Sequence, residues 1–456
     1  MKDSRRLLLR IGPVHSVLEG PAPHRELFEA FMVWNRGAGR EPFPCYRADG
    51  VFFTGLLPDV RALLEAQGFP VTVRDERPRP AASREWTLAG VTPRPYQLRA
   101  AEHLAAHPLS LVRLPSAAGK SVAALAALRR VGAARALYLT DRLDLAYQFA
   151  DVARGHLGLE PGFVGDGRFS PDAPLVVASV DSALPRVDEL GTFDLTIADE
   201  AHAAAARTYF DLVMRVASPY RLGLTATPFR SNAEENLLLR SLFGPPVEIA
   251  DIDELEGGGF VARPRLRTVR VEAPPLELTL VWRRLEDALV DSPERNALIV
   301  RETLRLAGEG ENTLVLVRLI RHGEILRDLF RRAGREAPFL TGSTPPDRRH
   351  AVLRAFRVGR GAVLLGTEVL AVGVDLPRLG GLVLACGQHS KVATLQKAGR
   401  VMRPSPGASA AVKILVDFDD SALHPLLGRH SATRRKWMAD ILGVREEETH
   451  EAHRVR

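Results

Sequence analysis

From residue 109 onward, short apolar runs alternate with stretches of helical spacing. LSLVRL, RALYLT, PLVVAS, FDLTIA and RLGL are each long enough for one strand and apolar on both faces. A strand buried between helix layers in a parallel sheet has that pattern. The cadence pauses between residues 245 and 290 and resumes with TLVLVR, GAVLLG, GLVLAC and VKILVD. Two successive α/β blocks with parallel sheets and right-handed crossovers are the simplest account. Ahead of them, residues 1–75 read as a small α+β module. PDVRALLEAQG has the spacing of an amphipathic helix and FPVTV that of a strand, and the Pro- and Arg-rich RDERPRPAAS follows as a linker. The expected division is an N-terminal domain with linker at 1–88, tandem parallel-sheet domains at 89–262 and 263–430, and a basic helical tail at 431–456.

Composition narrows the class. No apolar run approaches the roughly 20 residues a membrane-spanning helix needs. The N-terminus lacks the apolar core and small-residue cleavage site of a secretory signal. Cys45 and Cys386 stand far apart, with no His at metal-ligand spacing. That argues against a zinc site or disulfide framework and for a reducing cytoplasm. The net charge of +7 is unevenly spread. Lys and Arg against Asp and Glu count 13 to 11 in residues 1–88, 16 to 21 in 89–262, 26 to 18 in 263–420 and 7 to 5 beyond. An acidic block followed by a basic one suits two halves with different electrostatic duties. Arginine dominates the cations, and Lys120 is the one lysine between residues 3 and 390. A lone compact ammonium among planar guanidinium groups marks a position where a point charge is wanted.

Lys120 stands in Pro115-Ser116-Ala117-Ala118-Gly119-Lys120-Ser121, between LSLVRL and the helical VAALAALRR. A strand, a small-residue loop and a helix N-terminus make a phosphate cradle. Its backbone N–H groups converge on the anion, Lys reaches the phosphates and Ser121 holds Mg²⁺. Leu114 occupies the position of the first glycine in the common form of this loop. Downstream, FDLTIA delivers Asp199-Glu200-Ala201-His202. One carboxylate at a strand end can hold phosphate-bound Mg²⁺, and its neighbour can polarise an attacking water. Alone, the pair would read as an acidic helix cap. RLGL then leads into Thr225-Ala226-Thr227-Pro228, whose hydroxyls either cap a turn or couple the nucleotide site to a strand track. Arg94-Pro95-Tyr96-Gln97 precedes the first strand, and the Gln97 amide, both donor and acceptor, suits an adenine edge.

In the second block, Arg400 and Arg403 lie three apart in Gln396-Lys397-Ala398-Gly399-Arg400-Val401-Met402-Arg403, hence on one helical face. Two guanidinium forks on one face suit a phosphate in the manner of an arginine finger. The alternative is a solvated basic helix. Before them, Thr367 in the stretch 366–377 could touch a backbone phosphate, and Gly373 and Asp375 could approach a ribose.

RPYQ, PSAAGKS, DEAH, TATP, GTEVLAVGVDLP and QKAGRVMR stand in the order of the superfamily 2 helicase motifs, over residues 90–418. LRLPSAAGKS, TATPFRSN, SPERNALIV and HPLLGRHSATRRKW make the chain similar to the XPB-type and UvsW-type DNA helicases. The resemblance implies RecA-like domains, ATP and Mg²⁺ as ligands, and 3′→5′ movement on DNA. It implies ATP contacts at Arg94, Gln97, Ser116, Ala117, Ala118, Gly119, Lys120, Ser121, Gly373, Asp375 and Gln396. Coupling would fall to His202, Thr225 and Thr227, and strand contacts to Arg142, Ser179 and Thr367. Val164-Gly165-Asp166-Gly167 resembles the glycine-bearing turn after the first strand-contacting motif. YRADGVFFTGLLPDVRALLEAQGFPVTV is similar to the DNA-recognition domain of that subgroup. Trp34, Phe43, Tyr46, Phe52 and Phe53 would there be either base-stacking surfaces or the module's core. Few residues separate Asp375 from Gln396, too few for an inserted strand-separating hairpin. An RNA helicase and a catalytically idle DNA clamp are the competing readings.

Overall fold

The computed structural model describes residues 7–33, 42–78, 83–115, 117–228, 232–277, 279, 281–367, 370, 376, 379–387, 391–399, 401–402 and 413–446. The chain divides into two compact units, Met1–Leu114 with Gly119–Ala250, and Asp251–Arg456 with Pro115–Ala118.

The first unit is built on an eight-stranded sheet in the order Arg168–Phe169, Gly162–Gly165, Leu175–Ser179, Ala136–Thr140, Leu195–Asp199, Tyr220–Thr225, Leu109–Arg113, Pro246–Glu248. Every pairing is parallel except the hairpin of the first two. Ala136–Thr140, Leu175–Ser179 and Leu195–Asp199 are buried along their whole length, which is why they read as unbroken apolar runs. Register sets the chemistry. Asp199 lies opposite Leu224, and Thr225 lies opposite Arg113. The strand ends that precede Lys120, Glu200 and Ala226 are therefore level on one carboxyl edge of the sheet.

The N-terminal module is a four-stranded sheet, Val51–Phe53, His15–Glu19, Leu7–Ile11, Val71–Asp75, covered by the helix Leu57–Ala66. It is fused to the parallel-sheet domain rather than tethered to it. Phe53 and Phe43 meet Phe210 edge-on at 5.5 and 5.9 Å. Leu237 and Leu238 of the helix Ala233–Phe243 pack on the module's core. A Cβ on Gly55 would lie 2.2 Å from the Arg240 carbonyl oxygen, so only glycine lets the two backbones approach this closely. Asp59 is ion-paired with Arg240. Arg221, fully buried, donates from Nη2 to the Pro13 carbonyl at 2.8 Å. Burial first, and the charge of Arg77 second, push its guanidinium down to about 9. The aromatics settle in the same way. Tyr46 and Phe52 are buried and stacked at 5.6 Å, and Phe43 stacks on Phe53 at 5.8 Å. Tyr46 and Phe52 belong to the core and Phe43 and Phe53, half-buried, to the docking surface; Trp34 lies outside the described residues.

The expected boundaries shift for identifiable reasons. Residues 84–88 belong to the parallel-sheet domain and not to a linker. Ser83 bridges to Ala133, and buried Trp86 donates to the Ala133 carbonyl at 2.8 Å. The first unit ends at Ala250 instead of residue 262. The helix Ile252–Gly257 and the segment after it pack on the second unit, where Ala262 N–H donates to the Met402 carbonyl at 2.7 Å.

The second unit holds a seven-stranded parallel sheet, Phe339–Leu340, Val363–Gly366, Asn312–Leu316, Leu379–Leu384, Ile414–Asp419, Arg265–Arg270, Arg445–Glu446. Arg265–Arg270 fills part of the apparent pause; its arginines hide a strand from hydrophobic patterning. The expected tail at 431 is the second half of one continuous helix, Pro425–Leu442. Its Arg434 is buried against Asp417 at 3.1 Å and its Met438 and Leu442 sit in the core. Among the described residues no helix is long and apolar enough to cross a membrane. Both cysteines are free and buried.

Phe210 is 4% exposed and anchors the module. Phe210→Ala should destabilise the first unit by roughly 3–5 kcal/mol, the usual cost of deleting a buried aromatic ring. Urea unfolding reads this, and an unchanged midpoint would mean the module is not docked there.

Candidate nucleotide site on the first parallel sheet

The loop after Leu109–Arg113 turns through two left-handed residues, Ala117 (φ 67°) and Gly119 (φ 75°). Alanine pays a steric penalty there that glycine does not. Gly119 caps the helix Lys120–Val131, so Lys120 and Ser121 sit at the positive end of its dipole. Ser116 lies outside the described residues. Buried Gln97 ties the loop from behind. Its Oε1 accepts from Arg94 N–H at 2.8 Å and its Nε2 donates to the Gly119 carbonyl at 3.1 Å. The Arg94 side chain donates to Tyr96 Oη at 3.0 Å. Gln97 thus grips the loop backbone, a contact the adenine reading did not include.

Across the edge, Lys120 Nζ pairs with Glu200 Oε1 at 2.7 Å. Glu200 has φ 45°, a left-handed geometry costly for a side chain with a Cβ, and it turns the carboxylate toward the lysine. Glu200 Oε2 lies 3.4 Å from His202 Nδ1, and that nitrogen is 3.1 Å from Thr225 Oγ1. Thr225 Oγ1 accepts from Thr227 N–H at 3.1 Å. One polar chain therefore joins Lys120, Glu200, His202, Thr225 and Thr227, from three motifs far apart in sequence. Burial works against the Lys120 ammonium, yet Glu200 and Asp199 together hold its pKa above the ordinary range. Burial raises the Asp199 carboxyl, and Lys120 opposes that.

Two residues that sequence reasoning passed over hold Asp199. Tyr138 Oη donates to Asp199 Oδ2 at 2.6 Å, and Tyr209 Oη donates to the Leu139 carbonyl at 3.0 Å beside the Asp199 carbonyl. The signal was present, since Tyr138 is a hydroxyl-bearing ring in a wholly buried strand. Such a group needs a partner. Among the described residues no cluster of His, Cys, Asp and Glu could by itself hold a metal. The donor set on offer, the Ser121 hydroxyl and the Asp199 carboxylate, is hard oxygen and incomplete. That fits Mg²⁺, which keeps waters and takes phosphate oxygens.

The two strand-contact candidates on this unit, Arg142 and Ser179, come together beside the glycine-bearing turn at Gly165. Arg142 precedes the helix Leu143–Leu157, and Ser179 precedes Val180–Ala183. A Cβ on Gly165 would lie 2.7 Å from Leu143 Cδ2 and 3.3 Å from Ser179 Oγ. Arg142 is paired with Asp144 at 3.0 Å and Ser179 bonds Ser182 at 2.9 Å.

In the second unit, Thr367 is buried just past Val363–Gly366, its N–H on the Leu340 carbonyl at 3.2 Å. Gln396 lies on the helix Lys391–Ala398. Gly373, Asp375, Arg400 and Arg403 lie outside the described residues. Among the described residues of this unit, buried polar pairs tie the helices to the sheet. Arg295 pairs with Asp420 at 2.8 Å with both side chains buried, and Lys397 Nζ donates to Cys386 Sγ at 3.3 Å.

Residues 90–230 match the family described as type III restriction enzyme, res subunit, and residues 295–405 match the helicase conserved C-terminal domain. The chain is 28% identical over 364 residues to the DNA 3′-5′ translocase XPB2 of Sulfurisphaera tokodaii, covering 71% of this chain and 81% of that protein. It is 26% identical over 402 residues to the DNA 3′-5′ helicase XPB of Mycobacterium tuberculosis, covering 84% and 68%. In fold it is similar to Saccharomyces cerevisiae Dbp5 bound to RNA and ADP BeF3, with a TM-score of 0.55 at 19% identity over 78% of this chain and 90% of the other. The two RecA-like sheets, the nucleotide motifs on the carboxyl edge of the first and these matches agree: the chain carries the type III restriction enzyme res-subunit and helicase C-terminal regions in tandem and resembles the XPB-type DNA helicases of superfamily 2.

Proposed function

We propose that the protein is an ATP-dependent DNA helicase or translocase, moving 3′→5′ and acting on branched or damaged DNA in repair or recombination in the cytoplasm. The observation that supports this best is the continuous polar chain from Lys120 through Glu200 and His202 to Thr225. Lys120 spends its charge on Glu200, so phosphates arriving in the loop compete for that ammonium. Its transfer to the phosphates frees the Glu200 carboxylate to orient and deprotonate a water. His202, which touches both Glu200 and Thr225, would pass a movement of the Glu200 carboxylate toward Thr225 and the strand-contact rim. Ser121 and Asp199 would hold Mg²⁺, whose charge offsets that of the phosphates. Arg400 and Arg403 are proposed to stabilise the transferring phosphoryl group, and Arg142, Ser179 and Thr367 to grip phosphates of the strand, which makes the motor indifferent to sequence. The N-terminal module is proposed to recognise DNA structure through its outer surface, since its aromatics are used inside.

The test is ATP turnover with single-stranded, duplex, forked and four-way DNA, and with RNA. Stimulation by DNA above RNA is expected. Stronger stimulation by RNA would favour the RNA-helicase alternative, and none by either would leave a DNA clamp.

Lys120→Ala should lose most ATP affinity, whereas Glu200→Gln should bind ATP and hydrolyse it at least about a hundredfold more slowly, the usual scale of lost general-base catalysis. Wild-type turnover by Glu200→Gln would remove that carboxylate from the mechanism. Tyr138→Phe deletes a hydrogen bond that favours ionised Asp199, so its carboxyl should rise further. A higher Mg²⁺ requirement at pH 6 than at pH 8, larger than in the wild type, is the expected result of a magnesium titration of ATPase activity. Identical titrations would show that Tyr138 merely packs.

A further inference from the structure

Next to the Arg142–Gly165–Ser179 rim stands a cluster of Tyr147, Phe163 and Arg168, none of which belongs to a motor motif. Tyr147 lies one turn beyond Leu143, four residues on and so on the same helix face. Its ring stacks on Phe163 at 4.7 Å with 19° between planes. Phe163 belongs to the strand Gly162–Gly165, next to the edge strand Arg168–Phe169, and stands two residues before the rim glycine. The Tyr147 hydroxyl donates to Asp166 Oδ2 at 2.7 Å. Asp166 and Gly167 form the tight turn of the edge hairpin, both at positive φ (50° and 73°). On the returning strand, the exposed Arg168 places its guanidinium 5.7 Å from the Tyr147 ring centre and 5.8 Å from that of Phe163.

A phenol packed on one face and held at its hydroxyl has little rotational freedom left to lose. Stacking a further planar group on it costs correspondingly little entropy. Tyr147 is only partly buried and Leu143 is 38% exposed, so this face of the helix meets solvent between the rim and the hairpin. Nucleobases present π-faces to any strand-binding groove, and aromatic rings beside guanidinium groups are how sequence-indifferent grooves hold them.

We propose that Tyr147 is a base-stacking platform for single-stranded nucleic acid, with Arg168 beside it to hold the adjoining phosphate. This rests on the reading of Arg142 and Ser179 as strand contacts and adds a base contact to a rim otherwise made for phosphates. It gives the motor a place where one base is held out of stack while the backbone moves.

The experiment uses the full chain with two fluorescent probes of equal length, an oligothymidylate and an abasic strand with the same phosphates. Wild-type protein should prefer the oligothymidylate. Tyr147→Leu, which keeps apolar packing on Phe163 but has no aromatic face, should weaken oligothymidylate binding about tenfold, the scale of one base–aromatic stack, and leave the abasic strand unchanged. Tyr147→Phe should retain the preference. Arg168→Ala should weaken both strands and reduce the log–log salt slope by about 0.7, one phosphate contact. The platform is overturned if Tyr147→Leu affects both strands equally or neither, or if the wild type does not distinguish them. If the wild type binds neither strand and no nucleic acid stimulates its ATPase, the motor reading itself falls and the platform with it. Thermal unfolding of each variant shows that a lost preference does not come from a lost fold.

Discussion

Two carboxylates and one ammonium share the carboxyl edge of the first sheet, and that imbalance organises the unit around it. Asp199 and Glu200 are adjacent in sequence, and burial makes two negative charges there expensive unless something offsets them. Lys120 offsets one, and the Tyr138 hydroxyl with the Glu200 N–H steadies the other. The level strand ends, the left-handed turn at Glu200 and the glycine cap beneath Lys120 all serve to bring these charges together. In the function proposed above, a phosphate ligand would take the ammonium and a divalent cation would be held by the carboxylate, so that binding would rearrange the pairing seen here.

Most of the fold was legible because both sheets are parallel and covered on two faces, which writes each strand as an apolar run bounded by turns. LSLVRL, RALYLT, PLVVAS, FDLTIA, TLVLVR, GAVLLG, GLVLAC and VKILVD all contain strands. What stayed hidden was coded differently. Arg265–Arg270 pairs Ile414–Asp419 along its length while carrying three arginines, one of them 3.6 Å from Glu302, so patterning missed it. Gly162–Gly165 is too small and glycine-rich to stand out. The motif residues were legible from spacing, but the Tyr138 and Tyr209 supports were not, because a buried tyrosine, on a strand or on a helix, announces only that it needs a partner and not which.

The second unit shows a different use of buried charge. Arg295 reaches Asp420 and the Ala385 carbonyl at 2.8 Å each, and Arg434 reaches Asp417 and the Phe418 carbonyl. Both arginines come from helices and both carboxylates from the end of one strand or the turn after it. Such pairs add little net stability compared with apolar packing, but removing one partner strands the other. They fix the angle at which the helices Pro293–Gly308 and Pro425–Leu442 lie on the sheet. Arg295, Ser431 and Arg434 are the residues of SPERNALIV and HPLLGRHSATRRKW that enter these buried contacts.

Gly55, resting against the Arg240 and Ser241 carbonyls, has a consequence for how such proteins diversify. A domain joined by a flexible tether can be exchanged like a cassette, since nothing on the recipient has to match it. Here the donor surface would have to bring a glycine at that contact, a carboxylate for Arg240, a carbonyl for Arg221 and rings for Phe210. Recombination that swaps the N-terminal module alone would leave a buried cation uncovered and an apolar face exposed. The unit that could be exchanged whole is therefore the module together with the sheet it sits on.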